Sequence, residues 1–252
     1  MRVTILGSGT SIPVPDRFPA GYLVQEDGTN MLIDIGPGTL RRLAQAGVKP
    51  DEITAVLLTH FHTDHTGDLP ALLFTLRDPL FAGRPPLRLI AHHGLAEWLD
   101  HLTAAWPWLA ADGYALSVEE IGPGSFPVEQ LTVKAVRVAH TPQSLAYRIE
   151  SPDGGIFTFS GDVEPCSGLI EAARNADLFI CDCSFPDGQG VPGHMTPGLA
   201  GEHAEKAGAR RLCLTHFYPQ CDGHDLEAQA RATFSGKVLL AEDLMKVEIR
   251  GY

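Results

Sequence analysis

A chain of 252 residues with 44% hydrophobic side chains is long enough to bury one large α/β core, and a single domain over residues 1–252 is the expected organisation. The formal net charge of −12 excludes a broad phosphate-coating surface, which needs clustered lysine and arginine, but leaves room for a local or metal-based anion site. No apolar run approaches the length of a membrane span, and Met1-Arg2-Val3-Thr4-Ile5-Leu6-Gly7 gives way to glycine and proline too soon for a signal peptide, so a cytoplasmic protein with no membrane partner is expected.

The pattern from residue 3 to 6 predicts a short strand, broken by Gly7-Ser8-Gly9-Thr10. This is not a dinucleotide fingerprint, because the third glycine is missing and a strand follows. Strands are predicted over 22–25 and 31–35, joined by the hairpin signal Asp27-Gly28. Leu40, Leu43 and Ala44 then mark a short helix, and the apolar run 53–59 another strand. Leu69, Leu72, Leu73 and Leu76 recur at helical spacing. A strand over 87–91 and a helix from 94 to 102 follow, with Trp98, Trp106 and Trp108 expected in the core or a pocket wall, and His92, His93 and His101 read as structural or solvated.

The middle reads as strands over 114–121, 131–139, 144–150 and 156–160. The last third alternates: helix 169–174, strand 177–183, helix 197–207, strand 211–215, helix 225–233, and strands near Val238 and Val247. Such alternation predicts sheets covered by helices on their outer faces. Five cysteines form no C-x-x-C pair and read as reduced, mostly buried thiols, with Cys221 in a loop as the one to watch.

Four metal-capable side chains stand in six residues, His60-Phe61-His62-Thr63-Asp64-His65, directly behind an apolar strand. Imidazole and carboxylate suit zinc and similar divalent ions, and a short loop after a rigid strand fixes their directions. His140, Asp162 and His216 also stand where strands give way to loops. Seven ligands are too many for one tetrahedral ion and suit two, sharing a carboxylate and a bridging water. The expected partition gives His60, His62 and His140 to one ion and Asp64, His65 and His216 to the other, with Asp162 as bridge. Zinc is the first choice, with manganese and iron as alternatives.

His60-x-His62-x-Asp64-His65, followed in order by His140, Gly161-Asp162 and Thr215-His216, resembles the metallo-β-lactamase superfamily. Leu6 to Pro13, Leu32 to Thr39 and Phe159-Ser160-Gly161-Asp162 bring the likeness closest to its ribonuclease Z-like and small phosphodiesterase group. The resemblance covers nearly the whole chain. It implies an α/β fold arranged as a four-layer αβ/βα sandwich, a binuclear metal centre, a homodimer, and hydrolysis of a phosphodiester by a metal-bridging hydroxide, with Asp64 and His194 catalytic.

Thr196 suits an N-cap and Pro197 the first helical position, so His194 is expected beside a helix N-terminus, where an anionic phosphate is favoured. RNA and small cyclic or nucleotide diesters are the candidate substrates. The long glycine- and proline-rich arm that grips tRNA in ribonuclease Z is not seen. Hydrolysis of a thioester, lactone or β-lactam on the same fold is the alternative. A two-iron oxidoreductase of this fold has glutamate where His62 stands and carries a flavin domain. A nucleophile elbow and a phosphate-binding P-loop are both absent, which leaves covalent serine chemistry and ATP use unsupported. Arg17, Phe18 and Tyr218 are candidates for substrate contacts.

Overall fold

The computed structural model describes residues 1–251. Strands β1 (Arg2–Gly7), β2 (Gly21–Glu26), β3 (Thr29–Ile35), β4 (Ala55–Leu57), β5 (Leu87–His92) and β6 (Leu116–Ile121) lie side by side in one sheet. A second sheet runs β7 (Gly124–Val128), β8 (Leu131–Arg137), β9 (Leu145–Glu150), β10 (Ile156–Phe159), β11 (Leu178–Asp182), β12 (Arg211–Thr215) and β13 (Lys237–Leu240). The last strand, β14 (Lys246–Glu248), returns to the first sheet and pairs antiparallel with β1.

Side-chain alternation explains why two sheets face each other. Along β1 to β3, Val3, Ile5, Tyr22, Val24, Met31 and Ile33 enter the core shared with the second sheet, while Leu6, Leu23 and Leu32 enter a separate core on the opposite face. That outer core is closed by α1 (Thr39–Gln45), α3 (Leu69–Thr75) and α4 (Leu95–Ala105) through Leu43, Leu69, Leu72, Leu73 and Leu95. On the far side, α5 (Ser167–Ala172), α6 (Pro197–Ala207) and α7 (Leu226–Arg231) cover the second sheet with Leu169, Ala200, Ala204 and Ala230. Sheets buried on both faces need near-continuous apolar strands, and β3 and β11 are such strands. The result is the expected four-layer αβ/βα sandwich.

The two sheets repeat one plan. In each, three antiparallel strands (β1–β3, β8–β10) are followed by three joined in parallel (β4–β6, β11–β13). Tyrosines tie the sheets together near one rim: Tyr147 Oη donates to the Leu58 carbonyl at 2.8 Å, and Tyr22 Oη lies 2.8 Å from Thr215 Oγ1.

Several elements depart from the expectation for local reasons. The strand predicted over 53–59 is regular only at Ala55–Leu57, because the Thr59 amide donates to the Asp34 carboxylate. The strand predicted to 139 ends at Arg137, and Ala139 instead accepts from the Glu164 amide. Strand β7 reads as turn because of Gly124 and Pro127; it lies at a sheet edge, where proline costs no ladder bond. Trp106 and Trp108 are not core or pocket wall: they are 47% and 56% exposed, because α4 ends at Ala105 and Pro107 turns both away from its buried face. Trp98 does pack inward, stacked on Phe61. Cys221 is not an accessible loop thiol; it is buried with Sγ 3.3 Å from the Ser184 carbonyl, and burial pushes it up to about 11. None of the described helices is long and apolar enough to cross a membrane.

Candidate metal centre

The parallel strands β3, β4, β10, β11 and β12 all point their carboxyl ends at the same rim, and the chain leaves each on a polar residue: Asp34, Thr59-His60, Gly161-Asp162, Asp182 and Thr215-His216. Ligand sites in open α/β sheets form at such ends. A four-residue helix, α2 (Thr63–Thr66), which the sequence did not reveal, turns Asp64 and His65 inward, while Phe61 points out between Trp98 and His92 and pins the loop.

All seven side chains predicted as ligands meet here. His62 Nδ1 lies 3.2 Å from His140 Nε2, and His65 Nε2 lies 3.3 Å from His216 Nε2. Asp162 stands between the two groups: Oδ2 is 3.8 Å from His60 Nε2 and 3.7 Å from His140 Nε2, whereas Oδ1 is 3.0 Å from His65 Nε2 and 3.3 Å from His216 Nε2. Asp64 Oδ2 adds to the second group, 3.4 Å from His216 Nε2.

The arrangement fits cations better than hydrogen bonds. Nitrogens bound to a tetrahedral zinc at about 2.0–2.1 Å stand about 3.3 Å apart, which is the spacing found. His60 Nε2 and Asp162 Oδ1 are buried and make no hydrogen bond, despite the short approach of His65 to the latter. An unsatisfied buried acceptor costs about 1–3 kcal/mol, and two aimed into one cluster call for a positive charge.

The outward ring nitrogens fix the tautomers. His65 Nδ1 donates to Asp34 at 2.7 Å, His140 Nδ1 to the Gly193 carbonyl at 2.9 Å and His216 Nδ1 to Ser184 Oγ at 3.0 Å, which turns each Nε2 inward. His60 Nδ1 meets Thr59 Oγ1, which itself donates to Asp34. Burial and the neighbouring imidazoles hold His60 down at about 2, so it is a neutral base. Burial works to raise Asp64, but His216 and His65 overturn it and bring it to about 2; Asp162 is likewise driven well below the carboxylate range by its imidazoles against burial. Burial disfavours charge on His65, yet Asp162 and Asp34 raise it well above the usual imidazole value.

Two of the six left-handed non-glycine residues stand at this rim. Asp34 (φ 57°) and His216 (φ 63°) are left-handed without being glycine, a conformation that persists only where the surroundings over-determine it. Gly36 is required by close approach, since a Cβ there would lie 2.0 Å from the Asp64 carbonyl oxygen. Gly36→Ala is therefore expected to displace the α2 loop, lower stability by about 1–3 kcal/mol and weaken metal retention, read by thermal unfolding with and without zinc.

His194 stands beside this centre, its ring stacked at 5.7 Å on His216 and 5.2 Å from His140. Its Nδ1 is held by Asp182 Oδ2 at 2.9 Å rather than by the amides of α6, and Thr196 caps that helix without a side-chain bond. Burial works to strip the ring's proton, but the Asp182 bond and charge more than offset this and raise its pKa. Asp34, Asp182 and Ser184 are partners to which the sequence reading gave no role. A carboxylate closing an otherwise apolar run, as both Asp34 and Asp182 do, was the available signal.

The family model for the beta-lactamase superfamily domain matches residues 29–217, from β3 through the residue after His216. The chain belongs to the metallo-β-lactamase superfamily. Its similarity to the ribonuclease Z of Thermobifida fusca is 27% identity, covering 98% of this chain and 94% of that protein. That alignment runs over 305 residues against the 252 here, so the relative carries segments this superfamily member lacks. The crystal structure of the metallo-beta-lactamase fold protein YhfI from Bacillus subtilis superposes with a TM-score of 0.87 at 26% identity over 98% of both chains. The short form of human tRNase Z superposes with a TM-score of 0.81 at 27% identity over 99% of both. The superfamily fold implies divalent metals, and the His/Asp clusters stand where they would bind.

Proposed function

We propose that this chain is a binuclear metal-dependent phosphodiesterase, a single cytoplasmic hydrolase domain acting on small diesters. The observation that carries the reading is the split of Asp162, one oxygen toward each group of imidazoles, as a carboxylate shared by two cations requires. His60, His62 and His140 would hold one cation and Asp64, His65 and His216 the other, both zinc. Bound there, two divalent ions would supply the Lewis acidity that lowers the pKa of water to near about 7 and would neutralise charge on the phosphate.

The protein's own groups do the rest. Asp64, ionised and at the rim, accepts a hydrogen bond from the attacking water and orients it toward phosphorus. Asp182 at Nδ1 raises the His194 pKa and so favours the protonated ring, which delivers a proton from Nε2 to the leaving oxygen. Tyr218, 6.0 Å from His194 and stacked on Phe185, walls this side. Small diesters are favoured over tRNA because only a short turn, residues 151–155, joins β9 to β10, and because the relative's extra segments have no counterpart here.

The expected outcome is that zinc-loaded protein cleaves bis(p-nitrophenyl) phosphate and does so faster than it opens a lactone, a glutathione thioester or a β-lactam measured alongside. Full metal content with cleavage of a carbonyl substrate and no diester would reject the assignment.

A further inference from the structure

Next to the metal centre, on the side of Asp64, the loop between β1 and β2 folds over a cleft of about 470 Å³ whose walls include Pro13, Val14, Pro15, Phe18, Pro37 and Asp64. The walls are mostly apolar, which is unusual beside so many charged groups. They are also rigid. Proline fixes the backbone at residues 13, 15 and 19, and Asp243 holds both ends of the loop by accepting from the Ser8 amide and hydroxyl and from the Phe18 amide. The Phe18 ring lies over Gly38, where a Cβ would come within 1.9 Å of it, and the Arg42 guanidinium sits 4.5 Å from the ring centroid. The aromatic wall is therefore fixed before any ligand arrives.

The loop's other flank is acidic. Asp16, Asp222, Glu242 and Asp243 line the adjoining hollow against Arg17 and Arg42, and these two guanidiniums are already engaged, Arg17 with Asp222 and Arg42 with Asp243. A second phosphate following the group in the cleft would meet this carboxylate cluster unpaired.

We infer that the cleft formed by Val14, Pro15 and Phe18 beside Asp64 binds one uncharged aryl group carried by the ester that is not cleaved, so that the substrate is a small aryl-type diester rather than a polyanionic chain. This rests on the phosphodiesterase reading, in which the leaving oxygen departs at His194 and the cleft holds the ester that stays. A planar ring enters an apolar, preformed cleft at little ordering cost and gains its burial from Phe18 and the prolines. A carboxylate or phosphate on that ring would meet Asp64 within the cleft and face Asp16 and Glu242 in the adjoining hollow, while Arg17, which lines both, is already paired with Asp222.

The test uses zinc-loaded full-length protein and calorimetric binding of methylphosphonate, phenylphosphonate and 4-carboxyphenylphosphonate, with no turnover required. Phenylphosphonate is expected to bind at least about tenfold tighter than methylphosphonate, with the carboxylated ring losing most of that gain. In Val14→Asp the phenyl-to-methyl ratio should collapse toward one. Val14→Thr, which keeps the side-chain shape, should lower it part-way. Equal affinity for the phenyl and methyl probes, no binding of either, or a ratio unchanged in both variants overturns the inference. Cleavage of p-nitrophenyl methyl and p-nitrophenyl phenyl phosphates then separates the two readings. Diester turnover without aryl preference sinks the cleft assignment alone, whereas aryl-selective binding with no turnover of either diester sinks the phosphodiesterase reading alone.

Discussion

Replacing His194 by alanine is expected to lower kcat on an unactivated diester about 10²–10⁴-fold while metal content stays at the wild-type level. The reason is geometric: His194 touches His140 and His216 by ring contact and gives its Nδ1 to Asp182, so it is available to the substrate and lies outside the seven residues proposed to hold the cations. The loss should shrink on a p-nitrophenyl ester, whose departing oxygen needs no proton. The same arrangement sets a pH dependence. Burial alone would depress the His194 pKa, and the Asp182 bond and charge raise it above the imidazole value, so the acid form persists to higher pH than in a free imidazole and is lost as pH rises through the raised value. Asp182→Asn removes the charge, lets burial prevail and should move the basic limb of the pH–rate profile to lower pH. An unmoved limb would show that His194 is not the proton donor.

Asp162→Ala is expected to cost more than the loss of one ligand, because this carboxylate serves both groups of imidazoles. Turnover should fall on the order of 10³-fold or more, with both cations released on dialysis. Stability without metal should change as well. His65 loses its 3.0 Å partner while buried, and removing one member of such a pair costs about 3–5 kcal/mol. Asp162→Asn, which keeps the volume and leaves no cavity, separates the charge effect from packing. Metal content and thermal unfolding read both variants.

Much of this centre could be seen in the sequence because its chemistry is dense and local. His60, His62, Asp64 and His65 fall within six residues, and apolar runs before Asp162 and His216 place both at strand ends. What escaped is long-range or conformational. The pairing of Asp34 with His65 spans 31 positions and of Asp182 with His194 spans 12, and neither carboxylate has ligand spacing of its own. Strand β7 was hidden by Pro127, whose tolerance depends on being at an edge, a property of the assembled sheet. Apolar character alone does not bury Trp106 and Trp108, because α4 stops at Ala105 and both follow its end. The repeated plan of the two sheets left no repeat in the sequence, since it is carried by strand order and direction rather than by residue identity.

The most direct measurement is anomalous diffraction at the zinc edge from zinc-loaded crystals, paired with the metal content of the same preparation. The account predicts two zinc positions about 3.5–4 Å apart, one against His60 Nε2, His62 Nδ1 and His140 Nε2 and the other against Asp64, His65 Nε2 and His216 Nε2, with an oxygen of Asp162 on each. A single position, or two ions bound away from Asp162, would contradict it.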